Sequence, residues 1–139
     1  MHYKPIRIII AVLTGFIALT AIGGGIAILT GVDPFPPAWL AGTPFTDYTI
    51  PALLLAIGVG GSALLAALLV LRPGRAGILA TLAAGLIMAG YIVGEVLILK
   101  QTPPGPTWIE ILYFGLGSII FALGAYLWMT EERPLPGPL

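Results

Sequence analysis

Four long uncharged segments dominate this chain and constrain its fold more than any other feature. Residues 8–29, 49–71, 76–94 and 111–130 contain no Asp, Glu, Lys or Arg. Each segment is close to the roughly 20 apolar residues that a helix needs to cross the hydrocarbon core of a bilayer. Only helices and closed barrels satisfy all their backbone polar groups inside lipid, and these segments are too long for barrel strands. The sequence therefore predicts an all-α integral membrane four-helix bundle, antiparallel and up-down-up-down.

The four segments leave room for a single transmembrane domain, residues 1–139. We expect spans over about residues 7–29, 49–71, 76–99 and 109–130, with a disordered proline-rich tail at 131–139. The first segment is expected to be kept as a span, because its apolar run exceeds a signal-peptide core and no clean cleavage site follows it. The first connecting loop, residues 30–48, is unusually long, apolar and rich in proline.

Composition excludes several kinds of site and partner. Only 9% of the residues are charged and the net charge is zero, so a nucleic-acid partner has no electrostatic support. The chain has no cysteine and one histidine, His2, which leaves no material for thiol chemistry or for a multi-histidine haem or zinc site. We expect no cofactor and no metal. The partners that fit are membrane lipids, and either a second copy of the chain or a larger complex in which it is an accessory subunit.

Positive charge is distributed unevenly between the two sides of the predicted bundle. Lys100 is the one lysine or arginine on the side of the first and third loops, whereas the side of the termini carries five: Lys4, Arg7, Arg72, Arg75 and Arg133. Because cytoplasmic segments of membrane proteins carry the excess of Lys and Arg, this bias predicts cytoplasmic N- and C-termini in a multi-pass cell-membrane protein.

The first outer loop carries local structure signals. Pro37 is suited to open a short helical turn that runs through Leu40 and stops at Gly42. Asp47 or Thr49 is expected to cap the second span. The apolar character of the loop favours one that seals the end of the bundle, with a lid over a substrate as the alternative.

Small residues are abundant in all four segments, as expected where helices must approach closely in lipid. The pattern Gly90-x-x-x-Gly94 in the third span places two glycines on one helix face. We expect this face to pack inside the bundle, so that Gly94→Leu disrupts packing next to Glu95. The alternative is a face for dimerisation.

The polar residues that a function could use gather near one end of the spans. Glu95 is the best single candidate, because an acid inside a span indicates a functional site. Tyr91 lies four residues earlier on the same helix face, and Lys100 is the nearest cation. Glu110 and Asp47 reach the same level from other helices. The carboxyl groups of this cluster can share a proton or hold a cation. If Glu95 instead pairs with Lys100, its role is to stabilise the end of the bundle.

The residues Thr43-Pro44-Phe45-Thr46-Asp47-Tyr48-Thr49-Ile50-Pro51, the surroundings of Glu95, and Tyr113-Phe114-Gly115-Leu116-Gly117 resemble a widespread group of small bacterial four-span proteins. The resemblance covers most of the chain, and the overall layout is similar to that of DoxX-like membrane proteins. It implies a bacterial inner-membrane bundle and carries no activity with it. The chain departs from the pattern in its proline-crowded loops and tail.

Three functions fit these observations. The leading hypothesis is a non-enzymatic bundle with a structural, accessory or lipid-interacting role, because residue types used in catalysis are scarce. The second is a small proton- or cation-coupled transporter that uses Glu95. The third is a membrane enzyme acting on a lipid or quinone, with the first outer loop as its lid. A cavity that reaches Glu95 from water or lipid would favour the second or the third hypothesis, and a solid core with Glu95 paired to Lys100 would favour the first.

Overall fold

A computed structural model describes residues 4–31, 36–99 and 107–131, which form four long helices in sequence. Helix α1 spans Lys4–Thr30, α2 spans Thr49–Val70, α3 spans Arg75–Ile98 and α4 spans Trp108–Thr130. Each helix is long and apolar enough to cross a membrane, and the described residues contain no strand. The all-α four-helix architecture is confirmed, and each helix begins and ends within about three residues of its expected bound.

Helices that follow one another in sequence pack most closely, and α1 also contacts α4. Glycines make these approaches possible. A Cβ atom added at Gly85 of α3 would lie 2.6 Å from the Phe121 backbone nitrogen of α4. A Cβ atom added at Gly25 of α1 would lie 2.8 Å from the Ala52 carbonyl oxygen of α2. Because helices in lipid associate through close van der Waals contact, these glycines are where the bundle holds together.

The expected packing role of Gly90 and Gly94 is wrong for contacts inside the chain. A Cβ atom added at either position would meet no atom within 4 Å. The GxxxG spacing does put the two glycines on one face of α3, but no neighbouring backbone approaches that face closely. Gly94→Leu is therefore expected to fold without an internal clash, and the dimerisation alternative stays open.

Apolar side chains lie both inside and outside the bundle, as lipid requires. The centre is a buried cluster of Ile17, Val59, Met88 and Ile120, one from each helix, with smaller residues between them. Large apolar side chains also point outward, and Leu19 and Leu97 are 78% and 77% exposed. In water such a surface would cause aggregation, whereas in a bilayer it faces acyl chains.

Helix α2 is irregular at the level of the polar residues. Its first turn, Thr49–Leu53, is α-helical, the next stretch, Leu54–Val59, is π-helical, and Gly60–Val70 is α-helical again. A π-helical stretch is wide, and such stretches occur frequently at functional sites. The sequence analysis did not predict it.

The first connecting loop contains the expected short turn. Pro37–Leu40 forms a 3₁₀ helix, Leu40 is buried, and Gly42 adopts a positive φ of 78° two residues later. Asp47 stands at the start of α2, where its carboxylate accepts a hydrogen bond of 3.0 Å from the Thr49 backbone N–H. The turn at Pro37 is confirmed. The expected cap is only partly right, because Tyr48 occupies the cap position without a side-chain capping hydrogen bond and Asp47 binds the helix from one residue earlier.

Arg7 closes one end of the bundle, which we call the arginine end. Arg7 is 6% exposed, and its guanidinium group donates to the carbonyl oxygens of Val70 at 2.8 Å and Arg72 at 2.7 Å. It also donates to the carbonyl oxygen of Gly74 at 3.1 Å and forms a bidentate ion pair with Glu131. The five hydrogen bonds use all five N–H donors of the side chain. Arg7 therefore ties α1 to the α2–α3 turn and to the end of α4.

We predict that Arg7→Met lowers the free energy of unfolding by on the order of 3 kcal/mol, because it strands a largely buried carboxylate and three carbonyl groups. Arg7→Lys should recover only part of this loss, since an ammonium group has three donors in place of five. Thermal unfolding in detergent gives the measurement. Arg72→Met is the control, because it removes an exposed arginine at the same end. Equal melting of the Arg7→Met and Arg72→Met variants would contradict the role of Arg7.

Candidate functional site

The opposite end of the bundle contains a cavity of about 290 Å³ with two acidic side chains in its wall. We call it the central cavity, and the end that contains it the carboxylate end. All four helices and the first loop contribute to its lining, which includes Ile28, Trp39, Leu55, Glu95, Glu110 and Tyr113. The wall is mostly apolar, with a few polar groups that converge, as is typical of sites for small ligands.

Glu95 of α3 and Glu110 of α4 face each other across the cavity wall. Both side chains line the central cavity. An ionised carboxyl group only accepts hydrogen bonds, whereas a protonated one can also donate. The oxygen atoms of Glu95 therefore give the mostly apolar wall a hydrogen-bonding group.

Glu110 also fixes the beginning of α4, a role that the sequence analysis missed. The Thr107 backbone N–H donates to the Glu110 carboxyl group at 2.8 Å, and the Thr107 hydroxyl accepts from the Glu110 backbone N–H at 3.3 Å. This is a capping box, whose signature Thr-x-x-Glu is readable at residues 107–110. Glu110 is only 5% exposed, so the cap holds its carboxyl group at the cavity.

Tyr91 stands one helical turn before Glu95, between the central cavity and a second depression. Its hydroxyl group donates a hydrogen bond of 3.3 Å to the carbonyl oxygen of Pro51. Pro51 lies in the first turn of α2, just before the π-helical stretch. The hydrogen bond therefore links α3 to α2 at the point where α2 changes its winding.

The second depression, which we call the lateral groove, lies between α2 and α3 and has a volume of about 240 Å³. Tyr91 and Glu95 line it as well as the central cavity. Its other lining residues are apolar and include Phe45, Leu54, Gly90 and Gly94. A third depression of about 230 Å³, the α3–α4 groove, is lined by apolar side chains and Glu110.

The first loop covers this end of the bundle. Trp39 lines the central cavity and Phe45 lines the lateral groove. Tyr48 donates a hydrogen bond of 2.7 Å to the carbonyl oxygen of Pro36, which ties the two ends of the described part of the loop together. Burial and, to a smaller extent, the negative charge of Glu95 raise the pKa of the Tyr48 phenol above its ordinary value.

Three of the five expected polar residues come together here, namely Tyr91, Glu95 and Glu110. Asp47 does not join them, because it is exposed and binds the start of α2. Lys100 lies outside the described residues, so its pairing with Glu95 stays a prediction. Tyr113, which the sequence analysis did not select, lines the cavity and stacks on Phe16 of α1 with ring centroids 6.4 Å apart.

The chemistry available to this site is that of carboxyl and phenol groups. Within residues 4–31, 36–99 and 107–131, no group of three or more His, Asp or Glu side chains is placed to hold a metal ion. The Thr107 hydroxyl, the one aliphatic hydroxyl among the lining residues, is engaged in the cap of α4. The arrangement can accept hydrogen bonds, hold a proton, and enclose an apolar group.

Comparisons of the chain with protein-family models, with curated proteins and with solved structures give no match. The resemblance to small bacterial four-span proteins and to a DoxX-like layout therefore stays a prediction from the sequence.

We predict that Glu110→Ala lowers the free energy of unfolding by about 1 kcal/mol, because it removes the acceptor for the Thr107 N–H. Glu110→Gln should cost much less, since its amide oxygen can still accept that hydrogen bond. Thermal unfolding of both variants in the same detergent makes the comparison. Equal losses in the two variants would show that the charge of Glu110, and not its capping contact, stabilises the fold.

Proposed function

We propose that this chain is a non-enzymatic, lipid-interacting membrane protein that holds a membrane amphiphile at its carboxylate end. The observation that carries the proposal is the central cavity, a mostly apolar space with the carboxyl group of Glu95 in its wall. An acid within a transmembrane helix lowers the stability of the helix in lipid, so its presence there indicates a functional site. A ligand with an apolar body and a polar group fits both parts of the wall.

The core below the cavity supports binding in preference to transport. Ile17, Val59, Met88 and Ile120 are buried against one another between the cavity and the arginine end. A transporter needs access from both sides of the membrane to its substrate site, in alternation. Packed side chains fill the path that a substrate would take in this conformation, so a site open at one end favours a holding role.

The lining of the cavity supports binding in preference to catalysis. Acyl transfer by an enzyme needs a nucleophile activated by an adjacent base. Among the described lining residues, the Thr107 hydroxyl accepts the hydrogen bond that caps α4, and the Tyr91 hydroxyl donates to Pro51. Both hydroxyl groups thus take part in contacts that hold helices in place, which supports a binding role over one as an activated nucleophile.

The proposal predicts that the purified chain retains an amphiphile through Glu95. Glu95→Leu should reduce the retained amount about tenfold, which corresponds to the loss of one hydrogen bond to a charged group. Glu95→Gln should retain most of it, because its amide oxygen still accepts. Lipids extracted from each protein after detergent purification, quantified per mole of chain by mass spectrometry, give the readout.

Asp47→Leu is the matched control, because Asp47 is an exposed acid at the same end that lines neither the central cavity nor the lateral groove. It should retain as much amphiphile as the wild type. Equal retention by the Glu95→Leu variant and the wild type, with both proteins folded, would contradict the proposal.

We also propose a bacterial inner-membrane location with both termini in the cytoplasm, on the evidence of five positive residues on one side against one on the other. The chain has no cysteine, so single cysteines can report its orientation. An impermeant maleimide applied to intact cells should label Thr102→Cys and leave Pro138→Cys unlabelled until the cells are opened. The reverse pattern would overturn the orientation.

A further inference from the structure

The lateral groove has a floor of glycine and a rim of apolar side chains. Gly90, Gly94 and Ile98 are spaced four residues apart, so they share one face of α3. From Gly90 to Ile98 this face is about 12 Å long, at 1.5 Å per residue. Pro51 and Leu54 of α2 form the opposite wall. The groove is therefore an elongated channel on the flank of the bundle.

The described side chains do not fill this channel. A Cβ atom at Gly90 or Gly94 would meet no atom within 4 Å. Leu54 and Ile98 at its rim are 51% and 43% exposed, on helices that are long and apolar enough to cross a membrane. A channel at this depth therefore faces hydrocarbon.

The channel and the central cavity meet at two side chains. Tyr91 and Glu95 belong to the lining of both spaces. A molecule whose polar group reaches Glu95 can thus extend an apolar part along the floor made by Gly94 and Gly90. Glu95 lies about 7.5 Å along the helix axis from Gly90, at five residues and 1.5 Å per residue.

We infer that the lateral groove holds the hydrocarbon tail of an amphiphile whose head group, a hydroxyl or a protonated amine, donates a hydrogen bond to Glu95. This inference rests on the proposed function and specifies its ligand and the place of its tail. Gly90 and Gly94 are then the residues that determine which tails fit.

The choice of head group follows from the two acids. Glu95 and Glu110 both line the central cavity, and the oxygen atoms of a carboxylate such as Glu95 accept hydrogen bonds. A donor on the ligand complements these oxygens. A carboxylate or phosphate head would bring a like charge beside an acidic pair, which is unfavourable where water is scarce.

The α3–α4 groove is the less suitable place for the tail. It is reached from Glu110, whose carboxyl group accepts the hydrogen bond that begins α4. It is lined by neither Tyr91 nor Glu95, and a tail there would lie on the other flank of α3. Blocking each groove separately distinguishes the two routes.

The test uses the full chain in phosphatidylcholine nanodiscs and hexadecanol that carries a diazirine in its tail. We expect photolabelling of the wild type to fall about tenfold in Gly94→Leu, because the new side chain occupies the groove beside Glu95. Gly90→Leu should also reduce labelling by the hexadecanol probe, because it blocks the far end of the groove. Unlabelled hexadecanol and hexadecylamine should compete with the probe, and hexadecanoate should not.

Two control variants keep the result specific. Gly115→Leu adds the same side chain at another position where a Cβ atom has no neighbour within 4 Å, and Val93→Phe narrows the α3–α4 groove. Both should label like the wild type. The inference would be overturned if Val93→Phe lost labelling while Gly94→Leu labelled like the wild type. It would also be overturned if hexadecanoate competed as well as hexadecanol.

The outcomes also separate this inference from the proposed function. If Glu95→Leu reduces labelling and Gly94→Leu does not, the proposed amphiphile site at Glu95 is supported and the lateral groove is refuted as the site of the tail. If neither Glu95→Leu nor Gly94→Leu changes the labelling, both the proposed function and the inference are refuted. Melting curves of each variant in the same nanodiscs show that it is folded.

Discussion

The guanidinium group of Arg7 is the contact on which the arrangement of the four helices depends. The last carbonyl groups of a helix have no partner within it, and a buried chain end must satisfy them in some other way. Arg7 donates hydrogen bonds to these carbonyl groups at the end of α2 and in the turn after it, namely those of Val70, Arg72 and Gly74. Its ion pair with Glu131 then adds the end of α4, so one side chain joins the first, second and fourth helices and the α2–α3 turn. Nearby, the guanidinium carbon of Arg75, at the start of α3, lies 4.7 Å from the ring centroid of Trp128 and adds a contact between α3 and α4.

The two ends of the bundle use charge in opposite ways. At the arginine end every donor of the buried cation has an acceptor, and no described hydrogen-bonding capacity of Arg7 is left over. At the carboxylate end two acids line a cavity, so hydrogen-bond acceptors and open space occur together. Acceptors beside open space can receive a ligand, and for this reason the proposed binding site lies at Glu95 and not at Arg7.

Local patterns in the sequence were sufficient to predict the helices and part of the site. Uncharged runs marked the spans, and Pro37 with Gly42 marked the turn in the first loop. The spacing of Tyr91 and Glu95 placed both on one face of α3. The role of Arg7 could not be predicted, because three of its five hydrogen bonds go to carbonyl groups 63 to 67 residues away, which carry no side-chain signature. The capping role of Glu110 was readable in Thr-x-x-Glu, but the residue had been interpreted only as a member of the acidic group.

The error at Gly90 and Gly94 has a physical cause that bears on the site. A GxxxG spacing states that two glycines share a face, and it does not state what that face meets. At Gly85 the neighbour is the backbone of α4, so the missing side chain brings helices together. At Gly90 and Gly94 the neighbouring helix is α2, which is π-helical from Leu54 and is held to Tyr91 through the Pro51 carbonyl group. There the missing side chains leave a channel between α2 and α3. At Gly85, by contrast, α3 and α4 are in close contact. The same residue type therefore seals one flank of α3 and opens the other, and the open flank is the one that leads to Glu95.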